Sequence, residues 1–476
     1  MNESEPSAPP VTTEREANVA HLKEQWPGLD AIPHPAGRKP DTLDMENSDF
    51  VRPMQRMFQW SRELGPIFET QAPGFGMVVV TGADLAKDLF DDTRFEKYTG
   101  FGIEAFRPVT GDGLFTAYND EENWALAHRI LLPAFSREAL MRYHPKMAGS
   151  VGRLVDHWTK TAGDGPVDLG ESSVSLALDM IGQAGFGFDF GSFEGGGKNH
   201  PYVSSMVNAL AYSVLPPQLQ QEREAEFRSW VTTMNGTVDD VIDTRRRSGT
   251  STDTDLLGMM MHARDEVTGK RLPDENMRYQ VTTFMVAGYG TTASLITFCL
   301  YFLSRNPGVL SAVRAEIEQT VGDAEIDFES VYRLRTLRRA VDETLRLWSP
   351  TPAFLRVAKE DTVIGGRYEV RRGGWAALLT GGLHRDPAWG EDVDAFDPDR
   401  FLPERVRARE PHLYKPFGTG PRACIGRQFA LHAATLALAE TVRSFDVEVP
   451  PDYVLSVAEG GFFMPENLEV SVRRRT

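Results

Sequence analysis

The stretch Phe417-Gly418-Thr419-Gly420-Pro421-Arg422-Ala423-Cys424-Ile425-Gly426 decides the reading of this 476-residue chain. Three glycines, a proline and a cysteine precede an apolar pattern of helical period over 428–441. Glycines such as Gly418 and Gly426 let the backbone approach something flat and bulky. Cys424 falls close to the start of the predicted helix, where the positive dipole end favours a thiolate. Arg422, two residues earlier, can pair with a carboxylate. A single thiolate in a glycine-rich loop suits one axial bond to a haem iron. The competing reading is a buried structural cysteine after a tight turn, which is common for an isolated cysteine. The surrounding pattern outweighs it. Cys299, in the apolar run Phe298-Cys299-Leu300-Tyr301-Phe302-Leu303, is the contrasting case and reads as core.

Composition bounds the function. With 51 Lys+Arg against 68 Asp+Glu the net charge is −17, which argues against a nucleic-acid partner, since phosphate contacts need clustered cations. Two cysteines exclude a disulfide scaffold and a cysteine-rich zinc module. The opening MNESEPSAPPVTTERE lacks a basic start and an apolar run, so it is no secretory signal. The most apolar run, near 293–303, is interrupted by Thr297 and followed by Ser304, Arg305 and Asn306, too short for a membrane span. The expectation is a cytoplasmic monomer with no membrane partner.

Residues 1–35, rich in Pro, Ser and Glu, are expected to form a flexible tail that orders late, near Trp26 and Leu29, and residues 36–476 a single domain. Apolar residues at spacings of three and four predict helices over 153–160, 203–214, 222–245, 278–304 and 309–321. Strand signals lie at 76–81, at 362–370 with a Gly-Gly turn, and at 468–472. A mainly α fold follows, a large helical body with a small β-rich region.

The cysteine loop resembles the signature FxxGxRxCxG of the cytochrome P-450 family of haem-thiolate monooxygenases, met here by Phe417, Gly420, Arg422, Cys424 and Gly426. The resemblance implies haem b buried between helices, Cys424 as its metal ligand, Phe417 packed near the sulfur and Arg422 on a propionate. Glu343-Thr344-Leu345-Arg346 puts an acid and a base at i, i+3 on one helix face. Such pairs are usually solvated, but this one runs into an apolar sequence. It resembles the family's ExxR, and Phe396–Phe401 resembles the segment that supplies a second arginine. A structural network of Glu343, Arg346 and Arg400 is implied.

Trp124 and His128 lie four apart and share a helical face, so both are candidate donors to a propionate. Two residues packing under a helix is the bland alternative. Where the family often has WxxxR, His128 takes the arginine position. Lys97 is a further propionate candidate. In the predicted helix around Ala287-Gly288-Tyr289-Gly290-Thr291-Thr292, Ala287 and Thr291 face the same way. Two glycines weaken it by about 1 kcal/mol each relative to alanine, and a Thr hydroxyl can bond back to the i−4 carbonyl. Close helix packing at the glycines is the alternative. The stretch resembles AGxxTT, which implies an oxygen-binding turn with Ala287, Gly288 and Thr291 as catalytic positions. The family usually places Asp or Glu immediately before that Thr, and here stands Gly290. Hydroxylation is thus joined by alternatives: oxidative coupling, dehydrogenation, peroxide-driven oxidation, or a haem-binding sensor without turnover.

Over most of residues 50–470 the chain is similar to the haem domain of self-sufficient bacterial fatty-acid hydroxylases, without their reductase. The expectation is electron supply from a separate ferredoxin or flavodoxin type partner with its reductase, O2 as co-substrate, and a role in secondary metabolism. Matching segments puts Phe75 and Val79 where those enzymes hold a fatty-acid carboxylate, and neither side chain binds an anion. The matched pocket positions Ile103, Phe106, Phe115, Ala287, Thr351 and Ala353 imply a hydrophobic or aromatic substrate. Residues 98–102 and Pro108 suggest a broken, adaptable entrance. Other constellations fail: Gly185, Gly187 and Gly191 are mis-spaced for a dinucleotide fingerprint, and Lys198 is followed by Asn199 rather than Ser or Thr. Arg405, Arg407 and Arg409 form either a local basic dock or a solvated face.

Overall fold

The computed structural model describes residues 21–35, 52–72, 75–100, 102–163, 165–193, 200–213, 215, 217–249 and 254–475. They fall into two compact units interleaved along the chain. The first takes the described residues up to Tyr98 with Thr351–Ala395 and Arg407–Ala423. The second takes Thr99–Pro350, Phe396–Val406 and the residues from Cys424 onward.

The first unit is built on a five-stranded sheet in the order Ile67–Ala72, Phe75–Val80, Trp375–Leu379, Ala353–Ala358, Phe95–Lys97. Only Phe75–Val80 and Trp375–Leu379 pair in parallel. Val78, Val79 and Val80 are fully buried, as a β-branched run covered on both faces must be. Trp375–Leu379 is buried at every position, so it shows no period-2 signal in the sequence. The predicted Gly-Gly turn closes a hairpin of Thr362–Ile364 and Tyr368–Val370, with φ of +57° at Gly365 and +68° at Gly366.

The tail expectation needs correction for 21–35. Leu22, Trp26, Leu29 and Ile32 are buried, and the Trp26 indole donates to the Trp375 carbonyl at 3.3 Å. The order expected near Trp26 and Leu29 extends to Leu22 and Ile32, which the polar composition around them concealed. The rest of that expectation, residues 1–20, lies outside the described residues.

The second unit is helical. The helix Asp274–Arg305 packs on Leu169–Ile181, Arg335–Leu347 and Arg427–Ser444. It is long and apolar enough to cross a membrane, yet 72% of its most apolar window is buried inside the protein, as in a core helix. Side-chain caps set helix starts nearby: Ser136 Oγ accepts from Ala139 N at 3.2 Å at the start of Arg137–Thr161, which packs on Leu169–Ile181 and Arg427–Ser444, and Asp168 Oδ1 accepts from Glu171 N at 2.8 Å. The helices predicted over 203–214, 222–245 and 309–321 run as Pro201–Ser213, Glu224–Ser248 and Pro307–Thr320. Two small sheets complete the unit, Val167–Asp168 with Glu469–Arg474 and Phe445–Glu448, and the hairpin Val457–Glu459/Phe463–Pro465. The mainly α expectation holds.

Candidate functional site

Cys424 stands two residues before Gly426, the N-cap of Arg427–Ser444. Its side chain has open surface, yet burial pushes its thiol pKa up, against the pull of the Gly426 N–H and the Arg427 charge. Gly426 has its Cα side turned to that sulfur, 3.9 Å from where a Cβ would sit. Cys299 is fully buried in the long helix, and burial lifts its pKa to about 12, so it is core as expected.

The preceding loop belongs to the first unit. Gly418 and Gly420 both have φ +69°, a conformation that excludes most side chains. A Cβ on Gly420 would lie 1.9 Å from the Asp92 carboxylate, and one on Gly418 3.2 Å from the Phe354 ring. Asp92 is itself held by Arg356 Nη2 at 2.6 Å. Asp92 is invisible to a sequence reading; its trace is the glycine it requires opposite. Lys97 ends the edge strand Phe95–Lys97. Desolvation, and secondly the nearby Arg422 charge, pushes its pKa down to about 7. Two adjacent cations in desolvating surroundings make a strong local field for carboxylates.

On the long helix, residues from Val281 to Leu303 are mostly buried, but Ala287 is exposed and Val286, Gly288 and Thr291 are half-buried. The Thr291 hydroxyl donates to the Ala287 carbonyl at 2.7 Å, and the helix stays regular there. Gly288 would put a Cβ 3.4 Å from Ile181, an ordinary helix contact. Gly290 is different: a Cβ there would lie 2.1 Å from the Phe462 ring, which also meets Tyr289 edge-on at 5.8 Å. Phe462 escaped the sequence reading, since the pair Phe462-Phe463 at the turn before Phe463–Pro465 carries no periodic signal.

The acid–base pair is buried as expected. Glu343 and Arg346 side chains are 0% exposed and joined by two bonds, of 2.6 and 2.7 Å. Arg400 Nε lies 3.6 Å from Glu343 Oε1, which also accepts from Asp397 N at 2.9 Å. Burial raises the Glu343 pKa in spite of these partners. Trp124 and His128 stack on one face of Glu122–Leu131 with centroids 5.1 Å apart. Arg129 is committed elsewhere, to Asp265 at 2.7 Å.

Of the pocket candidates in the second unit, Phe115 is 44% exposed and Ile103 and Phe106 are half-buried. Their loop is fixed to the long helix by Leu114 N donating to Gln280 Oε1 at 3.1 Å. Glu104–Phe106 and Arg107–Thr110 form two short helical turns, the second containing Pro108; of the entrance expected over 98–102, Phe101 lies outside the described residues. In the first unit Thr351 is exposed and Ala353 half-buried. Val79 is buried in its strand, and the Phe75 side chain lies outside the described residues. The arginines near the cysteine loop are separately engaged, Arg405 with Asp397 at 3.3 Å and Arg409 over the Trp389 ring at 4.2 Å.

A family model described as cytochrome P-450 matches residues 45–470. The chain belongs to the cytochrome P-450 family. It is 36% identical over 453 residues to a bifunctional cytochrome P-450/NADPH–P-450 reductase 2 of Bacillus subtilis, covering 94% of this chain and 43% of that protein. A bifunctional cytochrome P-450/NADPH–P-450 reductase of Bacillus cereus is 36% identical over 457 residues, covering 94% of this chain and 42% of the relative. A self-sufficient cytochrome P-450 monooxygenase of Phanerodontia chrysosporium is 34% identical over 429 residues, 88% of this chain and 40% of the relative. The chain thus spans about two fifths of the length of these relatives. P-450 proteins are oxidoreductases that bind haem b through a cysteine thiolate, and the residues at hand fit that group. They offer a soft sulfur donor with open surface, a glycine loop without side-chain bulk, and the paired Lys97 and Arg422 charges for carboxylates.

Proposed function

We propose that Cys424 is the axial haem ligand of a monooxygenase that inserts one oxygen atom of O2 into a C–H bond of a hydrophobic or aromatic small molecule, in secondary metabolism. The observation that carries this reading is the Cys424 sulfur, open yet desolvated at the start of Arg427–Ser444. A thiolate-bound haem supplies oxygen activation. The chain's own residues do the rest. Phe417, Gly418 and Gly426 shape the thiolate loop, and Arg422, Lys97, Trp124 and His128 hold the propionates. Thr291, Ala287 and Gly288 form the open stretch where a small ligand and a water fit, and the Thr291 hydroxyl is the group placed to pass a proton. Ile103, Phe106, Phe115, Ala287, Thr351 and Ala353 select an apolar substrate. The buried Val79 offers no anchor for a fatty-acid carboxylate. Residues 36–476 act as one haem domain, working in the cytoplasm as a monomer.

Electrons come from a ferredoxin or flavodoxin type donor with its reductase. The names of the Bacillus relatives put a reductase in the same polypeptide, and turnover with and without an added donor distinguishes the two arrangements. Gly290 favours a second reading, oxidative coupling, dehydrogenation or peroxide-driven oxidation, because it supplies no acid and the Phe462 ring fills the space beside it.

The test is spectral. Reduced protein under carbon monoxide is expected to show the strongly red-shifted Soret band of thiolate ligation, lost in Cys424→Ser. Lipids, aromatics and peptides are then screened for a spin-state shift and for product. A nitrogen-ligated spectrum would sink the reading. A thiolate spectrum with no substrate oxidation, given donor or peroxide, would make the protein a haem-binding sensor.

A further inference from the structure

In the first unit the strand Ala353–Ala358 carries Phe354 and Arg356, two residues apart and so on one face. Each limits one glycine of the cysteine loop. Phe354 does so directly, since a Cβ on Gly418 would lie 3.2 Å from its ring. Arg356 does so through Asp92, whose Oδ2 stands where a side chain on Gly420 would begin.

Arg356 is 5% exposed and spends its donors inside the unit. Its Nε donates to the Leu89 carbonyl at 2.8 Å, and its Nη2 to Asp92 Oδ1 at 2.6 Å and to the Phe95 carbonyl at 3.1 Å. One oxygen of Asp92 is thus held by a buried guanidinium while the other presses on the loop.

Both ends of this clamp lead to a cation. Gly420 opens a turn closed by Ala423 N donating to the Gly420 carbonyl at 3.1 Å, with Pro421 and Arg422 at its two central positions. Phe95 begins the strand Phe95–Lys97, in which Lys97 pairs in register with Arg356. Desolvation, then the Arg422 charge, depresses the Lys97 pKa, which puts the two cations close together. Like charges repel, so their own interaction does not hold them side by side. The clamp ties the turn that carries one to the strand that carries the other.

We propose that Asp92, anchored by Arg356, is a positioning residue that holds Arg422 beside Lys97 as a carboxylate-binding pair. This rests on the reading of those two cations as holders of the haem propionates.

The experiment uses the full chain loaded with iron protoporphyrin IX or with its dimethyl ester, which has the same ring and iron but no carboxylates. Loss of each porphyrin to an excess of a haem scavenger is followed by absorbance. The unaltered protein should hold the free acid longer than the diester. Asp92→Ala should speed loss of the free acid about tenfold, the scale of removing a supporting partner, and leave the diester rate unchanged. Asp92→Asn keeps the shape and an oxygen for Arg356, so it should fold and lose the free acid at an intermediate rate. A scaffold defect alone would speed both porphyrins alike. Equal acceleration of the two, or unchanged rates in both variants, would overturn the assignment. If the unaltered protein held both porphyrins equally well, the propionate reading itself would fall, and the clamp with it.

Discussion

Gly290 and Phe462 interlock: the ring lies where the first side-chain carbon of any other residue at 290 would have to go, 2.1 Å from it. Gly290→Ala should therefore destabilise the protein by about 1–3 kcal/mol through overpacking. In a Phe462→Ala background the clash is gone and only helix propensity remains, so the same change should stabilise by up to about 1 kcal/mol. Urea midpoints of the four proteins check the change of sign. Gly290→Glu should raise the share of electrons ending in product only when combined with Phe462→Ala; equal coupling with and without the ring would show that Phe462 does not obstruct a relay.

Removing one member of the buried pair strands the other. Glu343→Gln leaves Arg346, which is 0% exposed, without its countercharge, and should cost about 3–5 kcal/mol. Denaturant unfolding measures the loss, and haem retained after gel filtration should fall in parallel.

Thr291→Ala deletes a hydroxyl whose bond is to its own helix, so stability should move by no more than about 1 kcal/mol. Product formation should fall while released hydrogen peroxide rises. Unchanged partition between the two would remove Thr291 from the proton path.

Lys97 makes a pH signature in haem-free protein. Its folded pKa is near 7, against 10.5 for an ordinary lysine. Between those values the unfolded chain binds more protons, so this group makes stability rise as pH increases from about 7 to about 10.5. Below the folded pKa the charged side chain opposes folding in full. Lys97→Met should flatten that rise in melting temperature, and a slope unaltered by the substitution would show that Lys97 is solvated.

The parts read from sequence were those with a period or a rigid motif. The long helix announced itself by spacing, the hairpin at 362–370 by its Gly-Gly pair, and Glu343 with Arg346 by a charged pair running into apolar residues. What escaped has a common cause. Trp375–Leu379 is covered on both faces and shows no alternation. Leu22 and Ile32 sit in a polar segment but are buried in the unit of a sheet far off in sequence. Asp92 and Phe462 act by pressing on glycines more than 150 positions away, which no local window reveals.

The burial of Cys299 has a practical corollary. With the other sulfur sealed in hydrocarbon and its ionisation displaced to about 12, a water-borne alkylating reagent at neutral pH has a single target on the native protein. Intact mass after brief exposure to a maleimide then reports on Cys424 alone: if it holds the iron as proposed, haem-free protein should take one adduct and holoprotein none.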